Sequence, residues 1–316
     1  MTERKDLSSR ILPQMVLSDT RNPLTTPLQL SGSTASERAC QRFAIEGNAI
    51  VTGGSGVLGL AACRALLEHG ASGVSIFDIL ASISSGKEAI IRLQEDFPRA
   101  KVITKIVDVR DDATVHAAVS ETAVELGSVD ILLCFAGVVG TTHAIDMDVA
   151  EWRRVLDINT TGSWICAQAV AKQMINQKTG GSILFTASIS GHRVNFPQPQ
   201  VSYNVSKGAI VQLRRSLAAE WAQYGIRVNS ISPGYMDTIL NEGEGLAEGR
   251  RIWCERNPMG RMGTPEELMG AIVLLCSKIA GRYITGVDII VDGKHYYLRS
   301  SLRSQLSMSK GGQTVF

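Results

Sequence analysis

The stretch 48-NAIVTGGSGVLGLAA-62 decides how this chain folds. Its first five residues are apolar and β-branched enough for a buried strand. From residue 57 the apolar residues recur at helical spacing up to 69, and glycines crowd the junction. Glycine there permits a tight turn and lets the backbone approach a ligand closely. The helix that follows offers free N–H groups and the positive end of its dipole, which together attract a pyrophosphate. Strand, glycine-rich turn and helix in that order point to a dinucleotide-binding βαβ unit.

The same rhythm continues outward from it. Strand-like runs are "GVSIFD", "KVITKIVDV", "DILLCFAG", "SILFTAS", "IRVNSIS" and "GVDIIVDG". Helical spacing appears at 57–69, 87–97, 112–126, 149–177, 203–224 and 264–278. Strands alternating with helices imply parallel pairing and right-handed crossovers. The expectation is one α/β domain over 43–293, a doubly wound parallel seven-stranded sheet with helices on both faces. Residues 237–260 break the rhythm with Gly, Glu and Arg and read as an insertion able to cover a site. Residues 1–42, rich in Ser, Thr and Pro, read as an extended or disordered arm, and 294–316 as a solvated basic tail.

Composition narrows the function classes. With 20% charged residues and a net charge of +2, nothing favours a nucleic-acid or membrane surface as the main partner. The apolar run "ILLCFAGVVG" at 131–140 is far too short to span a bilayer. The six cysteines are scattered, without CxxC or Cys/His spacing, so no metal site is expected and a reducing compartment is. The cytoplasm is the expected location. A mitochondrial address is disfavoured by Glu3, Asp6 and Asp19 in the arm.

In a sheet of this kind ligands bind beyond the carboxyl ends of the strands. The second strand ends at Asp78, about 20 residues past the glycines, where a carboxylate can accept from ribose hydroxyls and repel a 2′-phosphate. That favours NAD over NADP. Asp108, ending the third, could reach an adenine amino group. In "YNVSK", 203–207, Tyr203 and Lys207 lie one turn apart on a helix face. A phenol alone titrates near pH ~10, and a neighbouring ammonium favours its ionised form. The pair reads as a general acid/base unit. A surface helix with an unconnected Tyr and Lys is the plain alternative.

These motifs together resemble the short-chain dehydrogenase/reductase family over about 43–293. The matching pieces are "TGGSGVLG", "DV" at 108–109, "CFAG" at 134–137, Asn159 in "LDINTTG", and Ser188 in "FTASISG". They continue with "YNVSK", "RVNSISPGYMDT" at 227–238 and "ITGVDIIVDG". Within the family, "SGHRVNFPQPQVSYNVSK" is similar to a fungal polyol branch of D-arabinitol 2-dehydrogenases, sorbose reductases and L-xylulose reductases. The resemblance implies a Rossmann-type fold and an NAD(P)-dependent exchange between a secondary alcohol and a ketone. It implies Tyr203 as acid/base, Lys207 as the group that lowers its pKa and holds the nicotinamide ribose, Ser188 at the substrate oxygen, and Asn159 behind Lys207. Cofactor contacts would come from Gly53, Ser55, Val57, Leu58, Asp78, Asp108, Val109, Ala136, Gly137, Tyr203, Lys207, Pro233, Met236 and Thr238. A homotetramer or homodimer through helices 149–177 and 203–224 is implied as well.

Two departures touch the cofactor side. The family's usual TGxxxGxG has a glycine where Val57 stands, and its NNAG is here "CFAG". For the substrate, His192, Asn195, Gln198 and Gln200 supply polar groups between Ser188 and Tyr203, as a polyol would need, unless they only satisfy their own loop. His143 is a weaker candidate. The readings that compete are a polyol/ketose enzyme, a reductase of hydrophobic natural-product ketones, and a dinucleotide-binding protein without turnover.

Overall fold

The computed structural model describes residues 12–238 and 244–294. Parts of the expected arm (1–11), insertion (239–243) and tail (295–316) therefore lie outside the described residues.

Seven strands form one sheet: β1 Asn48–Thr52, β2 Gly73–Asp78, β3 Lys101–Ile106, β4 Ile131–Cys134, β5 Gly181–Thr186, β6 Ile226–Pro233 and β7 Asp288–Val291. Every pairing is parallel, in the order β3-β2-β1-β4-β5-β6-β7. The order reverses between β1 and β4, so the crevice of a doubly wound sheet opens there. Thr52 pairs with Cys134 on one side and Phe77 on the other, which brings the strand ends into one row.

Side chains alternate across the pleat and build two cores. Ile50, Leu132 and Ile183 pack on one face against Val115, Val170 and Ile210. These last belong to α5 Asp112–Leu126, α7 Gly162–Gln177 and α8 Val201–Trp221. Val51, Leu133 and Leu184 pack on the other face with Leu66, Leu93 and Ile272. Those come from α2 Val57–Glu68, α4 Lys87–Asp96 and α10 Met269–Cys276, while α3 Leu80–Ser85 precedes α4. Each fully buried Leu or Ile contributes roughly 1.5–3 kcal/mol, so burial on both faces explains why the strands read as continuous apolar runs.

Three regions differ from the sequence reading. The arm carries a helix, α1 Ala35–Phe43, started by a reciprocal Thr34–Glu37 capping box. It is strapped to the body: Asn22 donates to the Gln223 carbonyl at 2.7 Å, Arg282 to the Thr26 carbonyl at 2.6 Å, and Ser277 to the Arg42 carbonyl at 2.8 Å. The helix departs from the extended reading at residues 35–42, while residues 12–34 hold no helix or strand. The expected helix 149–177 is divided: α6 Val149–Leu156 passes through a π turn, Asp157–Thr161, into α7. Within 237–260 a further helix, α9 Ala247–Glu255, appears. No described helix is long and apolar enough to cross a membrane.

Candidate active site

Asn159, Ser188, Tyr203 and Lys207 converge beyond the ends of β4 and β5. Asn159 sits in the π turn, whose extra residue per turn re-aims a side chain that a regular helix would send elsewhere. Its Oδ1 accepts from Val138 N at 2.8 Å, and its Nδ2 donates to Val138 O at 2.9 Å and Ser206 Oγ at 3.0 Å. The loop after β4 is thereby tied to α8. Ser188 follows β5 in extended backbone and caps a short 3-10 turn, accepting from Ser190 N at 3.1 Å. That turn lies directly on α8: a Cβ on Gly191 would come 2.7 Å from the Lys207 carbonyl oxygen. Glycine's missing side chain is what lets Ser188 meet Tyr203.

Lys207 is buried at 6% exposure and donates from Nζ to the Thr186 carbonyl at 2.7 Å. Its Nζ lies 5.5 Å from the Tyr203 ring centroid. Burial holds the ammonium down at about 8. The phenol does not show the depression that the YxxxK spacing alone implies. Burial pushes Tyr203 above its ordinary value, the hydrogen bond with Ser188 opposes this, and the nearby Tyr235 adds to it. Desolvation outweighs the Ser188 hydrogen bond, and the lysine's Nζ is turned to the Thr186 carbonyl. As it stands the site holds a protonated phenol beside a hydroxyl and an ammonium, which is the state that gives a proton to a developing alkoxide.

The residues expected on the cofactor side lie at and around the strand ends. Gly53 adopts φ +65, and a Cβ there would lie 2.6 Å from Ala136 N, so only glycine closes this turn on the β4 loop. Ser55 Oγ is buried with no partner, at the turn leading to the N-terminus of α2. An orphaned buried hydroxyl beside free helix N–H groups fits a phosphate oxygen. Asp78 accepts from Ser55 N at 3.1 Å through Oδ2 and from Ile79 N at 2.9 Å through Oδ1. The carboxylate therefore stands at the glycine-rich turn. Asp108 is gripped by Arg110, which holds its carboxyl below the usual range. Val109 is buried in the core and Leu58 is half-buried on α2. Gly137 lies beside Asn159 and Lys207: a Cβ there would be 3.3 Å from Asn159 Oδ1 and 3.9 Å from Lys207 Nζ. Pro233, Met236 and Thr238 are all buried at and after the end of β6. Both departures from the family pattern are absorbed: Val57 starts α2 with an exposed side chain, while Cys134 and Phe135 pack into opposite cores.

The substrate side differs more from expectation. His192 is committed elsewhere, its Nε2 bonding Ser232 Oγ at 3.1 Å and Asp288 Oδ2 at 2.9 Å. Its ring ties the loop to β6 and β7, which removes it as a substrate ligand. His143 is exposed after β4. Asn195 Nδ2 and Gln198 Nε2 both donate to Tyr235 Oη, at 3.1 and 3.0 Å. Gln198 Nε2 also reaches Gln200 Oε1 at 3.4 Å, and Gln198 Oε1 accepts from Trp253 Nε1 at 3.2 Å. Tyr235 and Trp253 stack, centroids 4.3 Å apart and planes 9° off parallel. Neither aromatic was singled out from sequence. Tyr235 follows the "SPG" that ends β6, and that position was the only signal.

The comparisons agree with this geometry. The family model described as enoyl-(acyl carrier protein) reductase matches residues 55–293. The chain is 37% identical over 262 residues to an NADP-dependent mannitol dehydrogenase of Hypocrea jecorina, covering 81% of this chain and 95% of that protein. It is 35% identical to a ribulose-forming D-arabinitol 2-dehydrogenase of Scheffersomyces stipitis, covering 79% and 94%. A crystal structure of a short-chain type dehydrogenase/reductase from Mycobacterium marinum superposes with TM-score 0.73 at 35% identity, over 81% of this chain and 98% of that one. Sheet order, strand-end residues and these matches lead to one conclusion: the chain belongs to the short-chain dehydrogenase/reductase family.

Proposed function

We propose that this protein is a polyol/ketose oxidoreductase using a nicotinamide dinucleotide. The observation that carries the reading is the meeting of Ser188, Tyr203, Lys207 and Asn159 at the strand ends. The dinucleotide, when bound, supplies the hydride; the chain supplies geometry and proton transfer. Tyr203 gives its phenolic proton to the carbonyl oxygen in reduction and recovers it in oxidation. Ser188 donates to the same oxygen and stabilises charge as it develops. Lys207 returns positive charge to the phenol, and Asn159 holds the loop and helix on either side of it. Gly53, Ser55, Val57 and Leu58 would hold the pyrophosphate, Asp78 the adenosine ribose, Asp108 and Val109 the adenine, and Ala136, Gly137, Pro233, Met236 and Thr238 the nicotinamide half.

NAD(H) is the preferred cofactor in this reading, because the Asp78 carboxylate repels a 2′-phosphate. The Hypocrea relative is named NADP-dependent, so the preference rests on Asp78 alone. The enzyme acts in the cytoplasm as a homodimer or homotetramer through α6 to α8, where Trp164 and Val205 are 41% and 45% exposed. Reduction of hydrophobic ketones is the second reading. It is favoured by Asn195 and Gln198 spending their donors on Tyr235 rather than on open space. The test is to follow nicotinamide absorbance with xylulose, sorbose and the corresponding polyols against bulky ketones, with NADH and NADPH. Ketose reduction faster with NADH supports the proposal; turnover of bulky ketones alone replaces it with the second reading.

A further inference from the structure

We infer that Ser190 is a positioning residue that acts through Ser188: its buried hydroxyl takes the Ser188 hydrogen while no substrate is bound, and turns to donate back when Ser188 donates outward. The inference rests on the reading that Ser188 donates to the substrate oxygen, and deepens it. Ser190 lies in the middle of the 3-10 turn Ile189–Gly191 that Ser188 caps. Its N–H donates to Ser188 Oγ at 3.1 Å, and Ser188 Oγ donates to Ser190 Oγ at 3.0 Å. Two bonds between the same pair close a small ring and hold the Ser188 side chain in one orientation. Ser190 is 4% exposed, and among the described residues its Oγ bonds Ser188 Oγ alone. A hydroxyl so placed meets the reaction only through its neighbour.

A serine hydroxyl has one hydrogen and two lone pairs. In this structure the Ser188 hydrogen is spent inward on Ser190, whereas a substrate carbonyl oxygen can only accept. Ser188 must therefore turn its hydrogen out, and that alone would leave Ser190 Oγ buried without a donor, which is costly. Ser190 has a hydrogen of its own, and rotating it back fills the second lone pair of Ser188. The two residues keep both bonds between them, and only hydroxyl hydrogens move. Ser190, Ser188 and the substrate oxygen then form a chain of donors pointing one way, and such chains polarise one another. Ser188 becomes the stronger donor as charge develops on the oxygen, so the effect belongs to the transition state and not to substrate affinity.

The test measures kcat and KM for sorbose and for 2-hexanone with NADH, in wild type, Ser188→Ala, Ser190→Ala, Ser190→Thr and the double alanine variant. A melting curve and an NADH-binding titration accompany the rates. Ser188→Ala should lower kcat by ~100-fold or more, the scale of a lost oxyanion donor. Ser190→Ala should lower kcat by about 10-fold on both ketones, which present the same carbonyl oxygen, with KM and NADH binding nearly unchanged. Ser190→Thr keeps the hydroxyl and should stay within about threefold of wild type. In the Ser188→Ala background the second alanine should add nothing, because its target is gone. A wild-type kcat in Ser190→Ala would overturn the inference. So would additive losses in the double variant, or a raised KM with a lower melting temperature, since these mark a purely structural role. Ser188→Ala near wild type would remove Ser188 from the reaction, and the inference with it. A wild type that reduces 2-hexanone and no ketose would remove the polyol reading alone, and the same loss on that ketone would still support Ser190.

Discussion

The proposed catalytic side of the site and its proposed substrate side are built in opposite ways. On the catalytic side each of three residues has a contact to the backbone, Asn159 to both polar groups of Val138, Lys207 to the Thr186 carbonyl and Ser188 to Ser190 N, beside side-chain bonds such as Asn159 to Ser206 Oγ. Backbone partners do not change with side-chain identity, so this half is set once the sheet and α8 form. On the substrate side the contacts run between side chains of separate segments, Asn195 and Gln198 to Tyr235, Gln198 to Trp253, and Arg256 over the Phe196 ring at 3.9 Å. Changing one member there changes what the others can do. The first arrangement suits a fixed chemistry, the second a pocket whose preference can shift.

The sharpest way to break this contrast is Tyr203→Phe. If the catalytic half is held by backbone contacts, removing one hydroxyl should leave folding and dinucleotide binding intact while turnover falls by ~100-fold or more, the scale of a general acid/base. Steady-state rates beside a dinucleotide-binding titration check this. A variant within a few-fold of wild type would take Tyr203 out of the reaction.

Lys207→Met is the next largest. Burial lowers Lys207 from 10.5 to about 8, so its charge opposes folding. Below about pH 8 the lysine is protonated folded and unfolded, and the whole opposition is present. Between 8 and 10.5 the folded state releases its proton first, so stability rises with pH over that window. Methionine removes the charge but leaves the Thr186 carbonyl without its donor. The expected net gain is about 2 kcal/mol at pH 7, shrinking toward pH 10, with turnover lost. Denaturant melts at both pH values read it. A variant less stable than wild type at pH 7 would show that Lys207 is there for the fold.

Much of the catalytic half was legible in the sequence because its signals are local. "TGGSGVLG" needs only a strand before it and a helix after it, and Tyr203 and Lys207 share a helix face by spacing alone. What escaped depends on contacts between distant segments. Tyr235, Trp253 and Gln198 meet across gaps of 18 to 55 residues. His192 looked like a ligand because Asp288, its partner, is 96 residues away. The π turn escaped too, since its apolar pattern continues the helices on both sides. The helix in the arm did carry a signal: Thr34 and Glu37 have capping-box spacing, overlooked among Ser, Thr and Pro.

A smaller effect extends the contrast to the cofactor turn. Asp78 accepts from backbone N–H groups at the glycine-rich turn, as Asn159 and Ser188 do in their own loops. Asp78→Ser with Ile79→Arg should change preference toward NADPH by ~10-fold without changing the choice of ketone, since a carboxylate is exchanged for a guanidinium suited to a 2′-phosphate. Parallel titrations of both cofactors measure it, and a wild type already preferring NADPH would show that Asp78 does not face the ribose.

The most direct test of the central claim is the wild-type ratio of kcat/KM for a ketose to that for a hydroxyl-free ketone of the same carbon number, sorbose against 2-hexanone, at saturating NADH. A pocket suited to a polyol/ketose pair predicts a ratio above ~10, on the order of 1.4 kcal/mol of transition-state preference for the hydroxylated substrate. A ratio below one would contradict the account.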